Sequence, residues 1–164
     1  MKEIQLTLGK VALVDDEDVL LVSQFKWHAQ KGRHTFYAVT DVRKEDGKWK
    51  AVKMHRLFLP DSKQVDHRDG NGLNNQRFNM RPATRSQNAA NSRKPASGVT
   101  SQYRGVSFHK SSKKFAAQIE TKNKNKHLGL FISEVDAARA YDDAALQHFG
   151  EFARLNFPQQ KEAA

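Results

Sequence analysis

The sequence predicts an α+β protein built from two small units, and three observations support this fold class. Short apolar runs separated by turn residues fill the first half of the chain, which is typical of β-hairpins. After residue 101 the pattern changes to three strands followed by one amphipathic helix. Between them, residues 92–101 contain one proline, one glycine and four hydroxyl residues, which predicts a linker. We therefore expect domains at residues 1–94 and 101–160, joined by a linker at 95–100.

The first domain is predicted to consist of β-hairpins. An acidic run at residues 15–18 lacks the glycine and the terminal glutamate of a calcium-binding loop, so we interpret it as a solvated turn. The predicted strands are residues 4–8, 11–14, 19–22, 25–28, 35–39 and 50–54.

The second domain is predicted to be a three-stranded antiparallel sheet packed on one helix. The strands are residues 105–109, 115–120 and 127–131, and Lys/Ser and Lys/Asn turns join them. The helix begins at the capping box of residues 133–136 and ends at Gly150.

Alternation along the strands predicts which residues of this sheet face the helix and which face outward. The helix-facing residues are expected to be Val106, Phe108, Ile119, Leu128 and Leu130. The outward residues are expected to be Ser107, His109, Gln118, Glu120, His127 and Gly129, edged by Lys110, Lys113, Lys114, Lys122, Lys124 and Lys126. Such a face suits the DNA major groove, although a half-solvated sheet with no ligand has a similar pattern.

Composition narrows the function classes. The 164 residues include 28 Lys and Arg against 18 Asp and Glu, which gives a formal net charge of +10, and the mean hydropathy is −0.78. The absence of cysteine excludes disulfides, thiolate zinc sites, iron–sulfur clusters and cysteine nucleophiles. No apolar run approaches 18 residues, and the first residues lack the layout of a signal peptide, so we expect a soluble cytoplasmic protein with no membrane partner.

The positive charge is clustered. Residues 42–94 carry thirteen Lys and Arg against five Asp and Glu, and residues 101–127 carry seven against one. The remaining segments, 1–41 and 128–164, are slightly acidic. Clustering indicates a surface that binds a polyanion, and lysine-rich solvated loops are the alternative.

The second domain resembles the AP2/ERF DNA-binding domain. Five motifs occur in the family's order, at residues 103–106, 114–119, 128–131, 137–142 and 155–158. The resemblance implies a sheet that enters the major groove, with Arg104 of the first motif among the DNA contacts. The plant domains have arginines where Ser107, His109 and Glu120 stand and a tryptophan near His127, so their target sequence is not assumed for this chain.

Residues 54–91 contain the side chains best suited to chemistry. Asp66 offers hard carboxylate oxygens and Asn88 an amide oxygen, both of which suit Mg²⁺ or another divalent cation such as Mn²⁺. His67, next to Asp66, can deprotonate a water for attack on a phosphodiester. Thr84 and Gln87 are spaced as a helix start, which would place Asn88 on a short helix. Taken alone, an Asp-His pair beside a Gly/Asn-rich turn is common in proteins that do no catalysis.

The ordered set at residues 50–94 resembles a phage-type HNH homing endonuclease, a ββα-metal nuclease, and the preceding hairpins resemble its usual lead-in. The resemblance implies that His67 is the general base and that Asp66 and Asn88 are metal ligands, with asparagine standing where many relatives have histidine. It implies that Asn79 orients the base and its loop, whereas His55 is at least as well explained by packing. Arginines near the cut would hold phosphates: Arg56, Arg68, Arg77, Arg81 and Arg85.

The combined prediction is a metal-dependent endonuclease that acts as a monomer on double-stranded DNA, with the AP2-like domain selecting the site. The main alternative is a DNA-binding regulator whose nuclease domain is inactive. An RNA-binding protein is a weaker third reading, because the outward sheet face has no aromatic pair for stacking bases.

Overall fold

The computed structural model describes residues 1–92, 100–121 and 124–158, and it contains several small antiparallel sheets and few helices, the α+β class that was predicted. Its contacts divide the chain into two compact units, Met1–Thr84 and Arg85–Ala164. Residues 95–99 of the predicted linker lie outside the described residues, so the predicted domain boundaries stay a prediction. Within the described ranges, no helix combines the length and the apolar character that crossing a membrane requires.

The first unit is built from three antiparallel strand groups. In chain order its elements are β1 (Lys2–Gln5), β2 (Val11–Val14), α1 (Val19–Val22), β3 (His28–Lys31), β4 (Phe36–Arg43), β5 (Trp49–Lys53), α2 (His55–Phe58), β6 (Gln64–His67) and β7 (Met80–Ala83). Strands β1 and β2 form one hairpin, β3, β4 and β5 form a three-stranded sheet in that order, and β6 pairs with β7.

A small apolar core holds these groups together. It consists of Ala12, Val14, Val22, Trp27, Ala38, Met54 and Leu73. Ala12 and Val14 alternate along β2 and are fully buried, as expected for one face of a half-buried strand. Leu73 comes from the connection between β6 and β7, so burial of this one side chain ties that connection to the core.

Residues 19–22 form a helical turn rather than the predicted strand. The acidic run before them starts a turn at Asp16–Asp18, and α1 follows directly. Val19 and Val22 pack on the core while Leu20 is 82% exposed, which is the i, i+3 spacing of a helix. The β-propensity of valine is overridden here by the need to bury one side of a short turn. Residues 25–27 are also not a strand, and β3 begins at His28.

The second unit is a three-stranded sheet with two helices among its described residues. Its elements are α3 (Arg85–Asn91), β8 (Val106–His109), β9 (Lys114–Thr121), β10 (Lys124–Phe131) and α4 (Glu134–Phe149), and the strand order is β10-β9-β8. The Ser133 hydroxyl accepts the backbone N–H of Asp136 at 3.3 Å, and Gly150 ends α4 with a φ of 52°. Both ends of α4 are therefore as predicted.

The core of this unit explains two of its sequence motifs. Gly105 has a φ of +71°, and a Cβ added there would lie 1.9 Å from the Tyr141 ring, so only glycine fits beneath that ring. Asp142, which is buried, accepts hydrogen bonds from the backbone and side chain of Asn156. Asn156 in turn accepts the backbone N–H of Arg104 at 2.7 Å. The motif at residues 155–158 therefore connects the start of the sheet to α4 through hydrogen bonds.

Candidate functional site

Strand β6 ends with the two residues that were predicted to carry the chemistry. Asp66 lies opposite Arg81 of β7, and His67 lies opposite Met80. The Asp66 and His67 side chains are only 3% and 6% exposed. Because neighbouring strand residues point to opposite faces, the carboxylate and the imidazole meet different surroundings.

The carboxylate of Asp66 is held by Arg81. The Nε and Nη2 atoms of Arg81 both lie 2.8 Å from Asp66 Oδ2, and both side chains are buried. Charge-assisted hydrogen bonds of this kind fix a carboxylate firmly where water is excluded. Arg81 was predicted to contact a DNA phosphate, and the structure places its guanidinium on Asp66.

Asn79 organises the loop between β6 and β7. This side chain is 1% exposed, and its Nδ2 donates to Asp69 Oδ1 at 3.0 Å and to the Asn74 carbonyl at 2.8 Å. Its Oδ1 accepts the Asp69 backbone N–H at 3.1 Å, and Asp69 also receives Asn74 Nδ2 at 2.9 Å. Asn79 therefore fixes the loop that follows His67 from the inside.

The N-terminal hairpin holds the same loop from the outside. The backbone N–H of Leu13 donates to the Leu73 carbonyl, and the Leu13 carbonyl accepts the N–H of Asn75, both at 2.8 Å. Strand β2 thus pairs with the loop as if the loop were one more strand, through a parallel bridge between Leu13 and Asn74.

The acidic run at residues 15–18 accepts hydrogen bonds from two residues near the end of the loop, Gln76 and Arg77. Arg77 Nε and Nη2 bind the two carboxylate oxygens of buried Asp18 at 2.9 and 2.7 Å. Asp15 accepts the Arg77 backbone N–H at 2.8 Å and Gln76 Nε2 at 3.0 Å, and these bonds lower the pKa of Asp15. The acidic run therefore anchors the loop as well as forming a turn. Arg77 was predicted to contact a DNA phosphate, and the structure places its guanidinium on Asp18 of this run.

The imidazole of His67 lies among other rings. Its centroid is 5.3 Å from that of His55 and 6.1 Å from that of Tyr37. Burial lowers the pKa of His67 below its ordinary value, while a side-chain contact with Asn75 and the charges of Asp69 and Asp66 act in the opposite direction. The net lowering keeps the ring neutral near pH 7, which is the form that accepts a proton.

His55 is the first residue of α2, and its side chain is 5% exposed. Burial, followed by the neighbouring His67, lowers the pKa of His55 to about 3. This ring is therefore uncharged in the working pH range, and its centroid lies 5.9 Å from that of Tyr37.

The remaining predicted residues of the HNH-like segment belong to several elements. Arg56 donates to the backbone carbonyls of Ser62 and Lys63. Arg68 is exposed at the start of the loop, while Arg85 and Asn88 lie on α3, in the second unit.

The outward face of the second unit's sheet gathers the residues that were predicted for it. Cross-strand partners share a face, and the observed pairs are Ser107 with Ala116, His109 with Lys114, Gln118 with His127, and Glu120 with Asn125. All of these except Ser107 and Ala116 are exposed.

A β-bulge corrects the predicted facing of two residues in β10. The register shifts between His127 and Gly129, so Gly129 pairs with buried Ala117 and Leu130 pairs with Ala116 on the outward face. Leu130 is accordingly 43% exposed, whereas a Cβ on Gly129 would approach the core ring of Phe131 at 3.1 Å. Simple alternation failed because a bulge inserts one extra residue and inverts the strand beyond it.

The predicted basic contacts of this unit are not all on the outward face. Lys114 is on it, and Lys113 lies in the preceding turn with a φ of 53°. Lys126 is exposed but pairs with Ile119, on the side that α4 covers, and Lys122 lies outside the described residues.

Arg104 joins parts of the second unit to one another. Its Nε donates to the Tyr141 hydroxyl and its Nη2 to the Ala89 carbonyl, both at 2.7 Å, and its Nη1 donates to the Ser92 carbonyl. Arg104 was predicted to contact DNA, and the structure places its guanidinium on the C-terminal end of α3.

Sequence reasoning missed Asn75 and Tyr37 as neighbours of the candidate base. Asn75 carried a weak signal, because it is an amide in a run that also contributes Leu73 to the core. Tyr37 carried none, because only the tertiary packing of distant segments brings its ring against that of His67.

The comparisons with known proteins agree with this picture. The chain is 29% identical over 156 residues to an uncharacterized HNH endonuclease of Acanthamoeba polyphaga mimivirus, covering 90% of this chain and 75% of that protein. It is 29% identical over 143 residues, 79% of this chain, to one AP2-like ethylene-responsive transcription factor of Arabidopsis thaliana. It is 31% identical over 134 residues, also 79% of this chain, to another.

The chain spans about a quarter of the length of these two plant factors, 24% and 26%. No protein-family model matches the chain. The relatives nevertheless include both an HNH endonuclease and AP2-like factors, so the two resemblances seen in the sequence are confirmed.

Proposed function

We propose that this chain is a metal-dependent DNA endonuclease of the HNH homing type, which cleaves as a monomer at a site chosen by its AP2-like sheet. The observation that supports this most directly is the setting of His67. A buried, neutral imidazole follows a buried carboxylate along β6, at the start of a loop that Asn79 and two anchors from the N-terminal hairpins hold in place.

The chemistry assigned to His67 is general-base catalysis. Its neutral nitrogen takes a proton from a water molecule while the oxygen of that water forms a bond to phosphorus. The bond from phosphorus to the leaving oxygen breaks, and that oxygen takes a proton from solvent. Arg81 holds the Asp66 carboxylate in one orientation, and Asn79 bonds the loop that follows the base.

The donor set fits a hard divalent cation. Among the described residues, no group of three or more His, Cys, Asp or Glu side chains comes together at one point. The proposed protein ligands are the carboxylate of Asp66 and the amide oxygen of Asn88, which are oxygen donors of the kind that Mg²⁺ or Mn²⁺ takes, and Mg²⁺ usually keeps several waters and binds substrate phosphates. When bound, such a cation would offset charge on the phosphate and on the leaving oxygen.

Site selection is assigned to the outward sheet face of the second unit. Its exposed polar side chains, among them Gln118, Glu120 and His127, can reach base edges in the major groove, while Lys113 and Lys114 are suited to phosphates. Of the remaining predicted phosphate contacts, Arg68 of the first unit and Arg85 of the second are exposed.

One observation favours the alternative, a DNA-binding regulator with an inactive nuclease domain. The Asp66 carboxylate already has a cationic partner in Arg81, and a metal ion would compete with that guanidinium for it. The two functions differ in a single property, which is cleavage of DNA.

The test is incubation of the chain with supercoiled plasmid, with and without Mg²⁺ or Mn²⁺. We expect nicked or linear product only with the cation. His67→Ala should lose cleavage and keep its mobility shift of DNA, while His34→Ala, a change at an exposed histidine of the same unit, should cut normally. If the wild-type chain shifts DNA but leaves plasmid supercoiled with either cation, the regulator is the correct function.

A further inference from the structure

The candidate base is in contact with two rings from the N-terminal lead-in. Tyr37 comes from β4 and His55 from α2, and together with His67 they form a closed triangle. The three centroid distances are 5.9 Å for Tyr37 and His55, 6.1 Å for Tyr37 and His67, and 5.3 Å for His55 and His67. Each ring is therefore in contact with both of the others.

Tyr37 occupies a place shaped for its ring. A Cβ added to Gly32 would lie 2.7 Å from the Tyr37 ring, and one added to Gly72 would lie 2.5 Å from it. Lys53 Nζ lies 4.1 Å from the ring centroid, within the range of a cation–π contact. Two glycines, one of them in the loop after His67, thus leave room that this ring fills.

Thr35, which directly precedes β4, is bonded to that loop. The Thr35 hydroxyl accepts the Gly72 backbone N–H at 3.0 Å, two residues before Tyr37. A displacement of the tyrosine ring would therefore change both the ring contact with His67 and the position of the loop that follows His67.

Ring orientation matters for a histidine base. The χ2 angle of histidine has a broad energy minimum, so its ring plane is set by its neighbours rather than by its own rotamer. A base must also hold its nitrogen within hydrogen-bond reach of the proton that it takes. The His55 ring can pack against His67 without charge repulsion, because burial lowers the pKa of His55 to about 3.

We propose that Tyr37 and His55 are positioning residues for His67: together they clamp the plane of its imidazole, and the N-terminal hairpins are thereby part of the catalytic apparatus. This inference rests on the proposed function for its effect on cleavage, but the clamp itself is a property of the protein without DNA.

The test uses the full chain and two readouts. The first is the imidazole NMR spectrum of histidine-labelled protein, in which the His67 signals among the seven histidines are assigned by their loss in His67→Gln. The second is plasmid cleavage, separated into kcat and KM. Tyr37→Leu should shift or broaden the His67 signals and lower kcat by about 10²-fold with little change in KM, because a misplaced base affects the chemical step. Tyr37→Phe keeps the ring and should restore both readouts.

Two further variants complete the design. Gly32→Ala displaces the Tyr37 ring without replacing any of the three ring residues. It should therefore change the His67 signals in the same direction as Tyr37→Leu. This variant replaces Tyr37→Leu in the test if Tyr37→Leu does not fold. Trp49→Leu, a change at an exposed aromatic residue of β5, should leave both readouts at wild-type values.

The proposal is overturned if folded Tyr37→Leu or Gly32→Ala leaves the His67 signals unchanged. It is equally overturned if Tyr37→Phe is as impaired as Tyr37→Leu, since the hydroxyl rather than the ring would then be responsible. If the wild-type chain does not cut DNA, the proposed function fails, while the NMR comparison still decides whether the clamp exists.

Discussion

In the loop after His67, the buried side chains of Asn74 and Asn79 both donate hydrogen bonds to Asp69 within the first unit. On the outward sheet face of the second unit, Gln118 and His127 are equally polar but extend into solvent. A buried polar group must find its partners inside the protein, whereas an exposed one can exchange water for a ligand. The bonded loop after His67 suits chemistry that needs fixed geometry. The exposed sheet face suits binding to the surface of another molecule.

This difference predicts that changes at the buried polar groups of the first unit reduce stability strongly, and that changes on the sheet face affect binding alone. The largest effect is expected at the buried ion pair. Arg81→Met leaves the Asp66 carboxylate buried without its cationic partner, and the free energy of unfolding should fall by about 3–5 kcal/mol. Urea denaturation followed by circular dichroism measures this change.

The matched variants locate the cause. Arg33→Met changes an exposed arginine of the same unit and should alter stability by no more than about 0.5 kcal/mol. The double variant Asp66→Leu with Arg81→Met replaces both charges by apolar groups and should recover most of the loss. Equal losses in the single and double variants would contradict an electrostatic origin.

A smaller effect is expected at Asn79. Asn79→Ala removes the amide that bonds Asp69 and Asn74, and leaving their polar groups without this partner should cost about 2–3 kcal/mol. Amide hydrogen exchange in residues 68–75 should accelerate more than exchange in the second unit. Uniform acceleration in both units would mean that Asn79 does not act through its own loop.

The buried histidine His55 predicts a dependence of stability on pH. Its pKa is about 3 in the folded chain and near 6.5 in the unfolded chain, so between these values the unfolded state binds more protons. Stability is therefore greatest above pH 6.5 and falls as the pH is lowered towards 3. At pH 5 this one group should reduce the unfolding free energy by about 2 kcal/mol, and His67, whose pKa is also lowered, acts in the same direction.

Thermal unfolding at pH 7 and at pH 5 tests this prediction. His55→Phe keeps an aromatic ring but cannot bind the proton, so its melting temperature should fall less between the two pH values than that of the wild type. A wild-type chain equally stable at pH 5 and pH 7 would contradict the burial of a neutral histidine.

The comparison also explains what the sequence could and could not predict. Strands β8, β9 and β10 and both ends of α4 were predicted because alternation, Ser133 and Gly150 act locally. The facing of Leu130 was wrong because the alternation was continued through Gly129, where a bulge inverts the strand beyond it. Asp66 and His67 stood out by residue type, whereas Arg81 as the partner of Asp66 was not foreseen, because it depends on the β6–β7 register.

The smallest effect on stability is expected on the exposed sheet face, where the effect on binding should be clear. Gln118→Ala and His127→Ala change paired, exposed side chains, and each should alter the free energy of unfolding by less than about 0.5 kcal/mol. If these side chains contact base edges, each change should weaken binding to the preferred site by about 1–3 kcal/mol while binding to random DNA stays constant. Fluorescence anisotropy with selected and random duplexes at one fixed salt concentration measures both affinities. Equal weakening on both duplexes would assign the two residues to the DNA backbone, and the sheet face would then hold DNA without reading it.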